Sequence, residues 1–460
     1  MRIRWFPVAG LCLSVAVWQG GIDASFGGQT DRLLPSAPSL ENHLKADSNA
    51  AAIELVDSLP GRFIRYDQVV QAIVTHEPDD SRIRLFELDG SSLLSLKDTD
   101  IQFSPDGQMM VLTEPGVFGL WIDPDTTTYL LTLAGVEIAQ FPGLGSRFLP
   151  DTELLVIQNP DGQRSRLVDL TDAETAIFEG WYLGSTAEVA MLEGIYYGPV
   201  LGPQNIVTYS MTADRYYLYD LNGTEIASFP GDIEGWVTMP DNQGMLVFDG
   251  EQTRRFDRNG VELATYSGQG VGTLPDGQAI FLNADVKDTS SRLVSLDGEE
   301  LAAYTGLHPQ LAPDHQRVIT RSFWDNTTRI HRLDGTEIAA IPGDFWEFSP
   351  DGKHIMVNSY QEGQEEPKSS LYTLDGIEIA TYMGVFEAFW PDTGIVVTST
   401  FGRSDTGSLF TETHLHSLEG ELLATVAGEF GGISPNQEVI AVSSNSSPPV
   451  TDLYRIRMDE

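Results

Sequence analysis

Short apolar runs alternate with tight polar turns along most of this chain. The stretch at 333–359, LDGTEIAAIPGDFWEFSPDGKHIMVNS, has a turn, a strand, a Pro-Gly, a second strand, a turn and a third strand. Nearly the same order of parts recurs from about residue 50 onward. No helical stretch separates the apolar runs, which excludes folds built from parallel βαβ units.

The first recurring part is a two-residue turn of the Asp-Gly or Asn-Gly kind. Such pairs predict type I′ hairpins, in which both central residues have positive φ. Gly298, Gly335 and Gly376 follow one another at intervals of 37 and 41 residues, a period typical of solenoids, propellers and arrays. The clear copies are Asp89-Gly90, Asn222-Gly223, Asn259-Gly260, Asp297-Gly298, Asp334-Gly335 and Asp375-Gly376, and the weaker ones are Ala134-Gly135, Glu419-Gly420 and Thr171-Asp172.

The second part is the short strand that follows this turn. It reads VEIAQF at 136–141, TEIASF at 224–229 and IEIATY at 377–382. Its apolar residues do not alternate cleanly with polar ones. This pattern predicts a strand covered on both faces, as in stacked sheets.

The third part is a Ser-Pro-Asp-Gly turn or a relative of it, as at 104–107 and 349–352. Proline in the second position and glycine in the fourth predict a type I turn. An apolar strand follows each copy, such as MMVLT at 109–113. Each unit of about 40 residues therefore holds four short antiparallel strands, which is typical of a β-propeller blade.

The chain resembles the WD-repeat and TolB-like propeller families. The matching residues are FSPDG at 103–107 and 348–352 and LYTLDG at 371–376, and the resemblance extends over about residues 50–460. It implies an all-β propeller fold and says almost nothing about function. Most units lack the Gly-His and Trp-Asp pairs of the WD pattern, so the hydrogen-bonded tetrad of that family is not expected here.

The number of blades follows from counting the strand after the turn. Nine copies begin near residues 93, 137, 175, 225, 262, 300, 337, 378 and 421. A tenth, at 53–58, has no preceding turn, while the last unit, 430–457, lacks a fourth strand. We expect these two segments to pair and close the ring, which removes exposed edges. Ten units are counted, and eight blades with distorted units, or two smaller rings, stay open because the 172–223 interval is long.

Charge narrows the classes of partner. The chain has 27 basic and 67 acidic residues, a net charge of −40. Such a surface disfavours nucleic acid and anionic membranes, and it favours basic partners or cations. The only cysteine is Cys12, so no disulfide forms within the chain.

The first residues predict export. Met1–Arg4 is basic and 5–18 is mostly apolar, as in a signal peptide, and cleavage is expected near residue 24. Residues 25–49 are predicted to be a flexible linker and 50–460 the propeller domain. No later apolar run is long enough to span a membrane. The expected location is periplasmic or extracellular, with no membrane insertion after cleavage.

Candidate binding residues lie between the second and third strands of the units. These connections vary greatly in length, from DGEQT at 249–253 to the long loops expected at 113–128, 359–370 and 398–413. In a propeller they emerge on one face, an arrangement common in binding surfaces. Aromatic residues here are candidate anchors for a protein or a sugar ring. They are Phe118, Trp121, Phe323, Trp324, Tyr360, Phe401 and Phe410.

Other candidates have weaker support. Trp236, Trp346 and Trp390 belong to the strand expected to line the central channel, as packing or as a ligand floor. Asp123 and Asp125 offer oxygens to Ca²⁺ but lack the distal Glu of a full acidic loop. His414 and His416 share a strand face without an evident third metal ligand. We therefore predict no catalytic residue, no metal site and no cofactor, with Ca²⁺ as a weak possibility.

Three functions fit these observations. The first is an exported scaffold that binds a protein or glycan through its loops. The second is a propeller enzyme, a hydrolase or lyase, although no catalytic motif such as Gly-x-Ser-x-Gly or a Walker loop occurs. The third is a surface or adhesion protein stabilised by Ca²⁺. The scaffold is favoured because the aromatic loops are the most specific feature.

Overall fold

A computed structural model describes residues 52–457, apart from a set of connecting segments. The segments outside the description are 78–81, 98–99, 115–125, 134, 150–151, 160–162, 170–173, 186–190, 193–194, 197–204, 231–234, 240–243, 249–250, 258–259, 285–288, 323, 360–366, 392, 404–408, 445 and 447. The predicted signal peptide and linker, 1–24 and 25–49, also lie outside it.

The described residues form ten four-stranded antiparallel sheets, the blades of a β-propeller. The first strand of the chain, β1 (Ala52–Pro60), belongs to the last blade, and blade 1 contains β2 (Arg62–Asp67), β3 (Ala72–Glu77), β4 (Arg82–Glu87) and β5 (Ser92–Lys97). Blade 2 contains β6 (Asp100–Phe103), β7 (Met109–Glu114), β8 (Thr127–Thr132) and β9 (Glu137–Pro142). Blade 3 contains β10 (Leu144–Phe148), β11 (Leu154–Gln158), β12 (Arg164–Asp169) and β13 (Glu174–Glu179).

Blade 4 contains β14 (Trp181–Ser185), β17 (Ile206–Ser210), β18 (Arg215–Tyr219) and β19 (Glu225–Pro230). A separate two-stranded hairpin, β15 (Met191–Leu192) and β16 (Ile195–Tyr196), lies in sequence between β14 and β17. This insertion explains the long 172–223 interval: it lengthens one connection and adds no blade.

The next three blades are regular. Blade 5 contains β20 (Gly235–Thr238), β21 (Met245–Phe248), β22 (Gln252–Phe256) and β23 (Glu262–Ser267). Blade 6 contains β24 (Gln269–Thr273), β25 (Ala279–Asn283), β26 (Ser290–Ser295) and β27 (Glu300–Thr305). Blade 7 contains β28 (Leu307–Leu311), β29 (Arg317–Ser322), β30 (Thr327–Arg332) and β31 (Glu337–Pro342).

The last three blades complete the ring. Blade 8 contains β32 (Asp344–Phe348), β33 (His354–Ser359), β34 (Lys368–Thr373) and β35 (Glu378–Met383). Blade 9 contains β36 (Val385–Trp390), β37 (Ile395–Arg403), β38 (Leu409–Ser417) and β39 (Leu422–Ala427). Blade 10 contains β40 (Glu429–Ile433), β41 (Val439–Ser443), β42 (Val450–Arg457) and, as its outermost strand, β1 (Ala52–Pro60).

The predicted closure is confirmed. β1 pairs antiparallel with β42, from Ala52 opposite Arg457 to Pro60 opposite Val450. The Thr451 hydroxyl donates to the Gly61 carbonyl at 2.8 Å, and Arg62 of blade 1 forms an ion pair with Glu429 of blade 10. The chain therefore closes one ring of ten blades, and the alternatives of eight blades or two rings are excluded.

The hydrophobic core is a ring of ten interfaces between blades. Each core cluster draws its buried residues from two neighbouring sheets, including the cluster where blade 10 meets blade 1. That last cluster holds Leu59, Ile73 and Leu453, all nearly inaccessible to water. One sheet cannot bury its own faces, so the sequence repeats until every sheet has two neighbours.

The turn between the third and fourth strands differs from the prediction. The amide of Gly90 donates to the carbonyl of Glu87 at 3.0 Å, and the amide of Glu87 donates to Ser91 at 2.9 Å. Gly90 has a φ of 89°, while Asp89 is absent from the residues with positive φ. This is a type I turn followed by a glycine bulge, so the predicted type I′ turn is wrong.

The predicted Ser-Pro-Asp-Gly turn is confirmed. The amide of Gly107 donates to the carbonyl of Ser104 at 2.8 Å, which closes a four-residue turn. The Ser104 hydroxyl donates to Asp106 at 2.6 Å and accepts from the amide of Met109 at 2.9 Å. The aspartate and serine therefore connect the turn to the start of the next strand.

The outermost strand of each blade is not covered on both faces, contrary to the prediction. In most blades its first apolar position is exposed, as at Ile138 and Leu263, while a later aromatic or aliphatic residue is buried. The strand lies at the rim of the ring, where one edge has no partner. Glutamate at the start of most of these strands, such as Glu137 and Glu262, places charge on this free edge.

The recurring alanine of the outermost strand has a packing role. A Cβ added to Gly376, in the turn of blade 8, would lie 2.3 Å from the Cβ of Ala339 in blade 7. The same test at Gly260 meets Ala227 of the preceding blade at 2.4 Å. The turn of one blade therefore rests on the outer strand of the previous blade, and only glycine over alanine fits. We call this contact the Gly–Ala seat.

Candidate functional site

The connections between strands divide between the two ends of the ring. One end carries the turns after the first and third strands of each blade, which are short in most blades. The other end carries the connections between second and third strands and those that lead into the next blade. We call this second end the loop face. The described candidates Trp324, Phe401 and Phe410 lie at this end.

A belt of buried hydrogen bonds supports the loop face. In eight blades a serine or threonine of the third strand donates from its hydroxyl to the carbonyl of the glycine that leads to the next blade, at 2.7–2.9 Å. The donors are Thr128, Ser165, Thr253, Ser291, Thr328, Ser369, Thr413 and Thr451. Each donor is essentially inaccessible to water.

Polar side chains of the second strands also form hydrogen bonds between neighbouring blades near the loop face. The hydroxyls of Thr320 and Thr398 donate at 2.6 Å to carbonyls at the end of the preceding blade. Asn283 accepts the amide of His308 in the next blade at 2.8 Å. From the sequence no tetrad of the WD type is expected, and this network was not predicted. A serine or threonine fifteen positions before a glycine is the sequence pattern that could have indicated it.

Two of the seven aromatic candidates are described with their side chains, and both are exposed. Trp324, between β29 and β30, is 77% exposed, and Phe401, near the end of β37, is 58% exposed. Phe410 lies in β38 and pairs with Gly402, but its side chain lies outside the description. The remaining candidates, Phe118, Trp121, Phe323 and Tyr360, lie outside the described residues.

The expected loop at 398–413 is largely a hairpin. β37 and β38 are nine residues each and stay paired from Ile395 opposite Ser417 to Arg403 opposite Leu409. The first strand of this blade pairs only as far as Ser399, and the fourth only as far as Glu412. The hairpin therefore extends beyond its blade on the loop face and carries Phe401 with it.

The three channel tryptophans have different surroundings. Trp390 is buried, and its indole N–H donates to the carbonyl of Gln437 in the next blade at 2.9 Å, so it is a packing residue. Trp346 is half exposed on β32, an innermost strand. Trp236 lies in β20, but its side chain lies outside the description.

Two glutamates on neighbouring innermost strands have perturbed acidity. Burial raises the pKa of Glu387 to about 7, and the nearby carboxylate of Glu429 adds to the rise. Burial also raises the pKa of Glu347 to about 7, while a hydrogen bond from the Phe389 amide opposes it. Glu347 keeps a larger solvent-exposed surface than Glu387, which is only half-buried by its neighbours, although burial raises the pKa of both carboxyl groups.

The two adjacent histidines are buried packing residues. His414 forms a hydrogen bond with the Thr400 hydroxyl at 2.8 Å through Nε2 and another with the Thr425 hydroxyl at 3.0 Å through Nδ1. His416 contacts Thr398 at 3.2 Å and packs edge-on against the ring of Tyr382, and burial lowers its pKa to about 4. In the part of the chain that the structure describes, no three potential ligands cluster around a metal position.

The structure describes only part of the candidate calcium-binding loop. Asp123 and Asp125 lie outside the described residues, while Thr126 is buried and Thr127 begins β8. Calcium binding stays a prediction. Among the residues that the structure describes, no helix has the length and apolar character needed to cross a membrane.

Comparisons with known proteins return only distant likenesses to solved structures. No protein-family model matches the chain, and no curated protein sequence matches it. Similar solved structures include a eukaryotic initiation factor (9% identity, 74% of this chain and 89% of that chain, TM-score 0.45). They also include BamB from Moraxella catarrhalis (10%, 72% and 99%, TM-score 0.35) and the WD40 domain of SCAP from fission yeast (10%, 88% and 98%, TM-score 0.36). With TM-scores below 0.5 these likenesses support no conclusion about this chain, and its fold class follows from the ten four-stranded sheets.

The protein is thus an all-β propeller with ten blades. The resemblance to WD-repeat and TolB-like proteins is borne out at the level of the propeller fold. Membership of one specific repeat family stays a prediction.

Proposed function

We propose that this protein is an exported binding scaffold that holds a partner protein on its loop face. The observation that carries the proposal is the pair of large exposed aromatic side chains there, Trp324 and Phe401, above a belt of buried hydrogen bonds. Exposed aromatic side chains on a rigid base are the usual anchors of protein recognition. The basic and apolar residues at 1–18 support export to the periplasm or the cell exterior.

Rigidity is what makes this face suitable for binding. In eight blades a buried hydroxyl-to-glycine hydrogen bond fixes the base of the connection, so little conformational entropy is lost when a partner binds. The tips vary in length and sequence from blade to blade, so neighbouring blades present different chemistry. A closed ring gives such a surface a fixed geometry.

The test is affinity capture from an envelope extract of the source organism with the full mature chain as bait. Three baits are compared: wild type, the Trp324→Ala/Phe401→Ala double variant, and Ile377→Ala as the matched control. Ile377 is an equally exposed apolar residue, 65% accessible, but it lies at the opposite end of the ring. Binding through the loop face predicts a partner that is kept by wild type and the control and lost by the double variant.

Two results would contradict the proposal. Equal capture by all three baits would show that the loop-face aromatic side chains take no part. Capture lost only with Ile377→Ala would assign binding to the other end. A glycan is the second ligand class that exposed aromatic rings fit, and capture abolished by glycosidase treatment of the extract would assign binding to a sugar rather than to a protein surface.

A further inference from the structure

The long hairpin of blade 9 has an unpaired strand edge. β36 stops pairing with β37 at Ser399, so Thr400 to Arg403 have no strand partner on that side among the described residues. An open edge is a template for a further strand, and proteins usually protect such edges by twisting, covering or charging them. This one stands out from its blade on the loop face, beside the exposed ring of Phe401.

The register identifies the backbone groups on the open side. The carbonyl of Thr411 accepts the amide of Gly428, so Thr411 faces away from β37. In an antiparallel ladder successive residues face opposite sides, so Glu412 and Phe410 face β37 and bond Thr400 and Gly402. The N–H and C=O groups of Phe401 and Arg403 therefore point toward the open side.

The base of this edge is held firmly. Thr400 is buried and its hydroxyl lies 2.8 Å from Nε2 of His414 on the paired strand. Thr413, one residue nearer the hairpin tip on the same strand, donates to the Gly428 carbonyl at 2.9 Å. An edge fixed in this way is already extended, so an added strand does not have to order it first.

Charge indicates the kind of segment that fits. The chain as a whole has a net charge of −40. A basic segment is therefore attracted to this protein, and an acidic one is repelled.

We propose that the inner edge of the β37–β38 hairpin binds an extended, basic segment of the partner protein as an added β-strand. Main-chain hydrogen bonds to Phe401 and Arg403 supply the pairing, and an apolar side chain of the segment packs on the Phe401 ring. This inference rests on the proposed function and specifies how the partner is held.

The experiment measures binding of fluorescent ten-residue peptides to the full mature chain by anisotropy. The probe alternates lysine and valine. Its controls are the same peptide with N-methyl groups on alternate amides, which blocks one strand edge, and a glutamate–valine peptide. We expect binding of the lysine peptide, at least about tenfold weaker binding after N-methylation, and no binding of the glutamate peptide.

Variants of the protein locate the edge. Phe401→Pro removes an N–H that faces the open side, a change that an edge strand tolerates, whereas Phe401→Ala removes only the ring. We expect Phe401→Pro to bind at least about fivefold more weakly than Phe401→Ala. Arg403→Pro against Arg403→Ala repeats the comparison at the second residue.

Equal binding of the methylated and unmethylated peptides would overturn the inference, because it would show attraction by charge alone. Equal affinities of Phe401→Pro and Phe401→Ala would overturn it too, as would tight binding of the glutamate peptide. If these results came together with capture that depends on Trp324 and Phe401, the scaffold function would stand and only the added strand would fail.

Discussion

The Gly–Ala seat between blades gives a sharp test of how the ring is held together. In Gly376→Ala the new methyl carbon would lie 2.3 Å from the Cβ of Ala339, far inside the usual carbon–carbon contact of about 3.5–4 Å. Gly376 also has a φ of 80°, a conformation that costs an alanine about 1–2 kcal/mol. Relief of the overlap costs about 1–3 kcal/mol more. We expect the free energy of unfolding to fall by about 2–5 kcal/mol.

Gly298 offers the matched control. It occupies the same turn in blade 6 with a φ of 84°, but a Cβ added there meets no atom within 4 Å. Gly298→Ala should therefore show only the backbone cost of about 1–2 kcal/mol. The difference between the two variants, measured by urea titration with tryptophan fluorescence, isolates the contact between blades.

A double-mutant cycle completes the test. Ala339→Gly removes the carbon that the new methyl group would overlap, so it should restore the contact part of the loss in Gly376→Ala. By itself Ala339→Gly should cost only about 0.5–1 kcal/mol, from added backbone freedom. Equal losses in Gly376→Ala and Gly298→Ala, or no coupling between residues 339 and 376, would refute the seat.

Three further predictions concern the belt and the titrating residues. Thr328→Val leaves the Gly343 carbonyl without its buried hydrogen-bond donor and should lower the free energy of unfolding by about 1–3 kcal/mol. Thr328→Ser keeps the hydroxyl and should retain most of the stability. Equal losses for the two variants in urea titrations would show that the hydroxyl is not needed. Burial in the fold favours the neutral form of His416 and lowers its pKa to about 4. The stability that this histidine contributes at neutral pH, up to about 3 kcal/mol, is therefore lost as the pH falls from about 6.5 to 4. His416→Gln should make the free energy of unfolding less dependent on pH in this range. Glu387 has the opposite sign: its pKa is raised, so its contribution is present below about pH 4.5 and lost as pH rises through 7, and Glu387→Gln should raise the melting temperature at pH 8 more than at pH 5. An unchanged pH profile in either variant would contradict the assigned burial.

Much of the architecture can be predicted from the sequence because the patterns that specify it are local. A turn pair such as Asp375-Gly376 and a strand such as EIATY lie within ten residues of each other, and their recurrence gives nine copies, to which the strand at 53–58 adds a tenth unit. The structure then decides between ten blades and the alternatives of eight blades or two rings. The closure was legible because a strand without a turn at one end complements a unit without a strand at the other.

The errors arose where neighbouring blades decide the outcome. The turn type depends on a glycine bulge that fits the preceding blade, which a pair of residues does not specify. The exposure of Ile138 depends on the rim position of its strand, not on its neighbours in sequence. The sequence predicts a loop at 398–413, the outer part of the hairpin, because this stretch has glycine and serine residues and little alternation of apolar and polar positions.

The candidate site was predictable only in part. The sequence predicts Trp324 and Phe401 as binding residues because they are aromatic and belong to connections of variable length, and both side chains are exposed. The open edge beside Phe401 could not be selected, since it depends on β36 being shorter than β37.

The central claim, that a partner protein binds on the loop face, is tested most directly by hydrogen–deuterium exchange of the chain with and without its captured partner. The account predicts slower exchange confined to connections of the loop face, above all 324–326 and the hairpin amides of Phe401 and Arg403. Slower exchange confined to the turns at the opposite end, such as Asp334-Gly335 and Asp375-Gly376, would contradict it.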